Sequence, residues 1–113
     1  MLTVYGIKNC DKCRAAQKWL DNQGANFHFH DIRTDGLDLK LIKNWQKKLA
    51  DGDLINRRSQ TWRKIPLGSR NNLTEAQERE LMLDYPTVIK RPIVTGNGKL
   101  YIGYNEEAWK KIF

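Results

Sequence analysis

Apolar and polar positions along the chain predict strands and helices in a defined order. A short apolar strand over residues 2–5 is followed, after a polar loop, by a helix over Asp11–Asn22 whose apolar residues recur every three or four positions. Residues 27–32 alternate with period two, which predicts a second strand. Because a helix separates these two strands, we expect them to be parallel.

The middle of the chain has a different pattern. Apolar residues at helical spacing predict a helix over 37–48, a short helix is expected over 53–56, and a capped helix is expected from Glu75 to about residue 83. No strand pattern is found between Thr34 and Tyr85. We therefore expect an all-helical insert over 34–85.

Strand patterns return near the end of the sequence. Residues 93–95 and 100–103 flank a glycine-containing turn at 96–98, which predicts an antiparallel hairpin. Asn105 is expected to cap a closing helix over Glu106–Ile112. The complete pattern predicts an α/β protein with a four-stranded mixed sheet.

Length and composition are consistent with one domain. The 113 residues, of which 40% are hydrophobic, suffice for a single core, formed here by 1–33 and 86–113 around the insert. We find no signal-peptide pattern and no apolar run near the roughly 20 residues that span a bilayer. These features predict a cytoplasmic protein without membrane contact.

The chain is basic, with a formal net charge of +7. Such a balance allows an acidic partner, nucleic acid included. The lysines and arginines are scattered over several helical regions, however, and scattered cations on helices are typical of solvated faces. We expect no direct nucleic-acid binding.

A pair of cysteines, Cys10 and Cys13, stands where the first strand gives way to the first helix. The order strand, C-x-x-C, helix is typical of thioredoxin-like redox proteins. Unpaired N–H groups and the helix dipole favour a thiolate at this position, and Lys8, Lys12 and Arg14 add positive charge. We predict that Cys10 is the attacking thiol and that Cys13 resolves the resulting mixed disulfide.

Two other interpretations of the cysteines remain open. The thiols could simply pack in the core. They could also bind zinc together with His28 and His30, which are two positions apart on the second predicted strand. The spacing matches no common zinc module, so we expect no metal and place both histidines on a partly exposed strand face.

Three arginines are further candidates for the site. Arg91 precedes Pro92 just before the hairpin, where thioredoxin-like folds place a cis-proline beside the reactive cysteine. Arg91 would then present a planar cation next to Cys10. Arg57 and Arg58 lie on the insert. The alternative in each case is an exposed basic residue without a role in the site.

Taken together, these motifs resemble the arsenate reductase (ArsC)/Spx family over essentially the whole chain. The resemblance is closest to the YffB-like subgroup of bacterial ArsC-like proteins, and it implies a thioredoxin-like fold. It rests on the Cys10 segment, on Arg91-Pro92-Ile93 and on three further stretches: His30-Asp31 with Asp35-Gly36-Leu37, residues 56–64 around Arg58, and residues 102–107.

The resemblance also implies roles for individual residues. In the arsenate reductases of the family, one cysteine attacks arsenate held by three arginines, and glutathione with glutaredoxin completes the reduction. Cys10 matches that cysteine and Arg91 matches the arginine before the cis-proline. Arg58 is the best match for the insert arginine, with Arg57 and Asn56 left open. The third arginine is expected near residues 102–103, where this sequence has none.

We therefore expect a glutathione-dependent thiol reductase with no bound cofactor. Its expected co-substrate is glutathione or another small thiol, and its expected protein partner is glutaredoxin or thioredoxin. One alternative is an Spx-type redox-sensing regulator that binds RNA polymerase, since those regulators carry C-x-x-C as a switch. A further alternative is an arsenate reductase. The predicted substrate-binding residues are Lys8, Asn9, Arg58, Arg91 and Pro92.

Overall fold

A computed structural model describes residues 1–49 and 53–113 and divides the chain into two compact units. The first unit consists of Met1–Gly36 and Arg91–Phe113, and the second is Leu37–Lys90, compared with the 34–85 expected for the insert. The strands are β1 (Leu2–Gly6), β2 (Phe27–Asp31), β3 (Ile93–Gly96) and β4 (Lys99–Ile102), and the α-helices are α1 (Asp11–Asn22), α2 (Leu39–Lys48), α3 (Gln60–Lys64), α4 (Glu75–Asp84) and α5 (Glu106–Ile112).

The four strands form one sheet in the order β2-β1-β3-β4. β1 is parallel to β2 and antiparallel to β3, and β3 is antiparallel to β4, so the sheet is mixed as predicted. The β3–β4 turn consists of Asn97 and Gly98, both with positive φ, which is the backbone that a two-residue hairpin requires. This sheet with its helices is the predicted thioredoxin-like fold.

The core of the first unit lies between the sheet and the helices α1 and α5. Val4 and Val94 are opposite each other in the β1–β3 register and are completely buried. Trp19 of α1 and Trp109 of α5 are both buried, and their rings meet edge to face with centroids 5.7 Å apart. This packing fixes α1, and with it the cysteine pair, against the sheet.

In the second unit, capping residues set where each helix begins. Asp38 accepts a hydrogen bond from the N–H of Leu41 at 2.8 Å, so α2 starts at Leu39 rather than at residue 37. Thr74 and Gln77 form the expected capping box of α4. Among the described residues, no helix is both long and apolar enough to cross a membrane.

The helix predicted over 53–56 is wrong. Ile55 instead forms an isolated antiparallel bridge with Ile89, and the N–H of Asn56 donates to the carbonyl of Val88 at 2.7 Å. This segment therefore pairs its backbone with a distant segment. The short helix of this region is α3, which begins only after Ser59 caps it by accepting from the N–H of Trp62 at 3.1 Å.

Candidate functional site

Cys10 is the N-cap residue of α1, at the end of a tight turn that follows β1. Its N–H donates to the carbonyl of Ile7 at 3.1 Å, and its own carbonyl accepts from the N–H of Arg14 at 3.0 Å. The thiol is partly exposed and reduced. It is therefore placed at the positive end of the helix, where an anion is favoured.

The environment of Cys10 stabilises its thiolate. Burial by itself would raise the pKa of this thiol. The backbone N–H and the thiol of Cys13 and the guanidinium of Arg91 outweigh that effect, so the pKa of Cys10 is lower than its ordinary value. Because the thiolate is the nucleophile in thiol chemistry, this supports the assignment of Cys10 as the attacking group.

Cys13 has the opposite character. It is completely buried on the inner side of α1, and burial raises the pKa of its thiol to about 12. A β-carbon added at Gly6 would overlap the Cys13 sulfur, so the glycine provides the space that the sulfur occupies. Cys13 thus remains protonated at neutral pH next to a more acidic partner.

The Arg91–Pro92 peptide bond is cis, as predicted. The guanidinium of Arg91 lies close enough to Cys10 to favour its thiolate. Pro92 is buried, and its carbonyl accepts from the N–H of Gly103 at 2.7 Å, which continues the β3–β4 pairing beyond Ile102. The structure therefore brings Cys10, Cys13 and Arg91 together.

The two loop residues assigned to substrate binding, Lys8 and Asn9, are exposed beside Cys10. Lys12, in the first turn of α1, is also exposed, whereas Arg14 is paired with Asp11. Both lysines flank Cys10 along the chain, whereas the cation that lowers the pKa of its thiol is Arg91. Whether Lys8 and Asn9 contact a substrate stays a prediction.

The insert arginines belong to the second unit and differ in their surroundings. Arg57 lies 3.4 Å from the carboxylate of Asp53 and 3.6 Å from that of Glu78, and its guanidinium is stacked 4.9 Å from the centre of the Trp62 ring. Arg58 is exposed, and its backbone N–H donates to the side-chain oxygen of Asn56 at 3.0 Å. Arg57 therefore has partners within the second unit, and whether Arg57 or Arg58 contributes to binding stays a prediction.

His28 and His30, the two histidines considered as zinc ligands, have different surroundings. His28 is exposed, while a ring nitrogen of His30 is hydrogen-bonded to the carbonyl of Gly36 at 2.7 Å and its ring lies 5.0 Å from that of Tyr5. In the described parts of the chain, no three histidine, cysteine or carboxylate side chains are grouped as metal ligands would be.

Asp31, at the end of β2, contacts the turn that carries Cys10, although the sequence analysis assigned it no role in the site beyond the family resemblance of His30-Asp31. Its side chain is only 2% exposed and accepts from the N–H of Lys8 at 3.0 Å, in the turn that carries Cys10. It also accepts from Arg33 and Thr34. Burial would raise the pKa of Asp31, but these donors hold it below its ordinary value. The sequence signal that could have identified this role is an aspartate at the end of a predicted strand, followed by the polar residues Arg33, Thr34 and Asp35.

The chain is similar to known proteins over nearly its whole length. The chain matches the ArsC family over residues 5–112. An uncharacterised protein of Haemophilus influenzae is 40% identical over 113 residues, which cover 100% of this chain and 99% of that protein. The global transcriptional regulator Spx of Listeria monocytogenes is 31% identical over 113 residues, which cover 98% of this chain and 86% of the regulator.

Solved structures show the same relationship. A YffB protein superposes with a TM-score of 0.90 at 32% sequence identity, covering 98% of this chain and 97% of that one. An arsenate reductase-related protein from Brucella melitensis has a TM-score of 0.79 at 38% identity, covering 97% and 92% of the two chains.

Proposed function

Because the chain belongs to the ArsC family, we propose that it is a thiol oxidoreductase in which Cys10 is the nucleophile and Cys13 the resolving thiol. The observation that carries this proposal is the contrast between the two thiols. Cys10 is partly exposed and acidic beside Arg91, whereas Cys13 is buried with a pKa of about 12. Cys10 is therefore suited to the first attack, because it is the more acidic and accessible thiol, and Cys13 to the second.

The reaction has two steps. The Cys10 thiolate attacks one sulfur of a substrate disulfide, forms a mixed disulfide with that half and releases the other half as a thiolate. Cys13 then gives up its proton to the departing thiolate and attacks the Cys10 sulfur, which releases the second half. The substrate disulfide gains two electrons from the two cysteines, one proton from Cys13 and one proton from solvent, and the protein is left with a Cys10–Cys13 disulfide.

Glutathione is our proposed reductant. Two glutathione molecules would return the protein to its dithiol state and leave as glutathione disulfide, which balances the two electrons. Glutathione carries two carboxylates, and the cations near Cys10 are Arg91 and the exposed lysines Lys8 and Lys12. Charge-assisted hydrogen bonds to carboxylates are among the stronger polar contacts in proteins. Arg58 is retained as a further candidate from the family resemblance alone.

The proposal is tested by mixing the reduced protein with glutathione disulfide and following each cysteine by mass spectrometry. We expect a rapid Cys10–glutathione adduct that converts to the Cys10–Cys13 disulfide. The Cys13→Ser variant should accumulate the adduct, and Cys10→Ser should form none. Adducts mainly on Cys13, or only disulfide-linked dimers, would contradict the assignment.

A second candidate function is regulation of transcription by oxidation. The similarity to the regulator Spx at 31% identity over 98% of the chain favours it, and a reversible Cys10–Cys13 disulfide would serve as the switch. RNA polymerase is the partner that this alternative requires. Capture of the polymerase by immobilised protein, compared between the reduced and oxidised forms, tests it. Redox-dependent capture supports regulation, and no capture in either form excludes it.

A further inference from the structure

We propose that Asp31 is a positioning residue for the Cys10 thiol, because its buried carboxylate holds the turn from which Cys10 projects. One carboxylate oxygen accepts from the N–H of Lys8 at 3.0 Å, and the other accepts from Arg33 at 2.8 Å and Thr34 at 3.2 Å. The side chain thereby joins the turn after β1 to the turn after β2.

The contact with Lys8 bears directly on the thiol. Lys8 is the second residue of the turn that the Cys10 N–H closes by donating to Ile7 at 3.1 Å. The N–H of Ile32 donates to the carbonyl of Gly6 at 2.9 Å and joins the same two segments at the next position. Movement of Lys8 away from Asp31 would therefore move the Cys10 sulfur relative to Arg91 and the start of α1.

Removal of the Asp31 charge should change the pKa of Cys10, and the direction of that change distinguishes two possible roles of Asp31. Lys8 and Arg33 are cationic, and the Asp35 carboxylate accepts from the N–H of Asp31 at 2.9 Å. If the charge of Asp31 acted directly on the thiol, its removal would lower the pKa of Cys10, because a nearby anion disfavours a thiolate. If Asp31 acts by positioning, its removal raises the pKa of Cys10, because the thiolate loses its partners.

The test is Asp31→Asn, with Asp35→Asn as the matched control. Asparagine keeps the shape, but its amide NH₂ faces backbone donors and cannot accept from all of them. Asp35→Asn removes a second carboxylate from the same turn, and an asparagine oxygen at residue 35 can still accept the hydrogen bond from the N–H of Asp31. Alkylation of Cys10 by iodoacetamide is followed by peptide mass spectrometry between pH 5 and pH 10, which yields the thiol pKa.

We expect the pKa of Cys10 to rise in Asp31→Asn, so that alkylation at neutral pH slows about three- to tenfold. Asp35→Asn should stay within about twofold of the wild type. A folded Asp31→Asn protein with an unchanged or lower Cys10 pKa would overturn the proposal. A general loss of packing would also expose Cys13, so a positioning role requires that Cys13 in the same samples stays as protected as in the wild type.

A measurement on the wild type keeps the proposal testable if Asp31→Asn does not fold. The Lys8 amide proton should shift in step with the titration of the Asp31 carboxyl in acid, and a Lys8 amide that does not respond would refute the contact. The inference rests on the proposed function only in taking Cys10 as the reacting thiol. A wild-type Cys10 of ordinary acidity would contradict that function and leave the Lys8 response unaffected.

Discussion

The sulfur of Cys13 occupies space that exists because residue 6 is a glycine. A β-carbon at Gly6 would overlap that sulfur and would lie 3.2 Å from the Cys13 β-carbon and 3.3 Å from a ring carbon of Phe29. Gly6 ends β1, and Cys13 is one turn into α1. The contact therefore sets how closely the helix that carries both thiols approaches the sheet.

Substitution of Gly6 by alanine should destabilise the protein. We expect a loss of about 1–3 kcal/mol in the free energy of unfolding, as is usual when a methyl group is forced into a packed interior. Denaturant unfolding measures it, with Gly68→Ala as control because a β-carbon there meets nothing within 4 Å. The double variant with Cys13→Ala should recover part of the loss, and strictly additive effects would contradict the proposed overlap.

The two thiols should differ in reactivity with pH. Alkylation of Cys10 should already be fast at neutral pH, because its pKa is lowered, and should level off above that pKa. Cys13, with a pKa of about 12, should remain protected until strongly alkaline conditions or unfolding. Peptide mass spectrometry after timed labelling separates the two, and preferential labelling of Cys13 at pH 7 would reverse the assigned roles.

Arg91→Ala should weaken reaction with glutathione disulfide while the fold persists. Removal of one charge-assisted contact costs about 1.5–3 kcal/mol, which is roughly ten- to a hundredfold in affinity. The rate of Cys10 adduct formation is the measurement, and Arg33→Ala, an exposed arginine of the same unit, is the control. Adduct formation at the wild-type rate in Arg91→Ala would remove Arg91 from the proposed site.

Arsenate reduction should be weak or absent. The family resemblance places a third arginine near the end of β4, where this chain has Ile102 and Gly103. Loss of one cationic contact weakens binding of an oxyanion by about 1.5–3 kcal/mol. The assay supplies arsenate, glutathione and glutaredoxin, with Cys10→Ser as the blank. Robust turnover that disappears in Cys10→Ser would show arsenate to be a substrate.

Asp31 should make the free energy of unfolding depend on pH in the acid range. The pKa of Asp31 is lower in the folded protein than in the unfolded chain. The contribution of Asp31 to the free energy of unfolding is therefore complete above about pH 4, and it is lost as the pH falls towards the pKa of Asp31 in the folded protein. We expect Asp31→Asn to lose on the order of 3 kcal/mol at pH 7. Unfolding between pH 7 and pH 2 measures this, and a difference from the wild type that does not shrink in acid would contradict it.

Local features of the sequence determined most of the elements. Helices α1 and α5 have the predicted bounds because apolar spacing and an end signal such as Asn105 act within a few residues. The C-x-x-C spacing likewise placed Cys10 before the helix and Cys13 one turn inside it. Such features depend only on residues that are close together along the chain, so they can be predicted from a single sequence.

Other properties depended on residues that only folding brings together. The Asp31 carboxylate accepts a hydrogen bond from the N–H of Lys8, which is 23 positions away, and the pattern of apolar and polar residues does not predict that contact. Ile55 is extended because Ile89 supplies its partner, so tertiary pairing overrode a local helical tendency. The opposite pKa changes of the two thiols arise from burial and from Arg91, because a charge is stabilised or destabilised by whatever surrounds it in space.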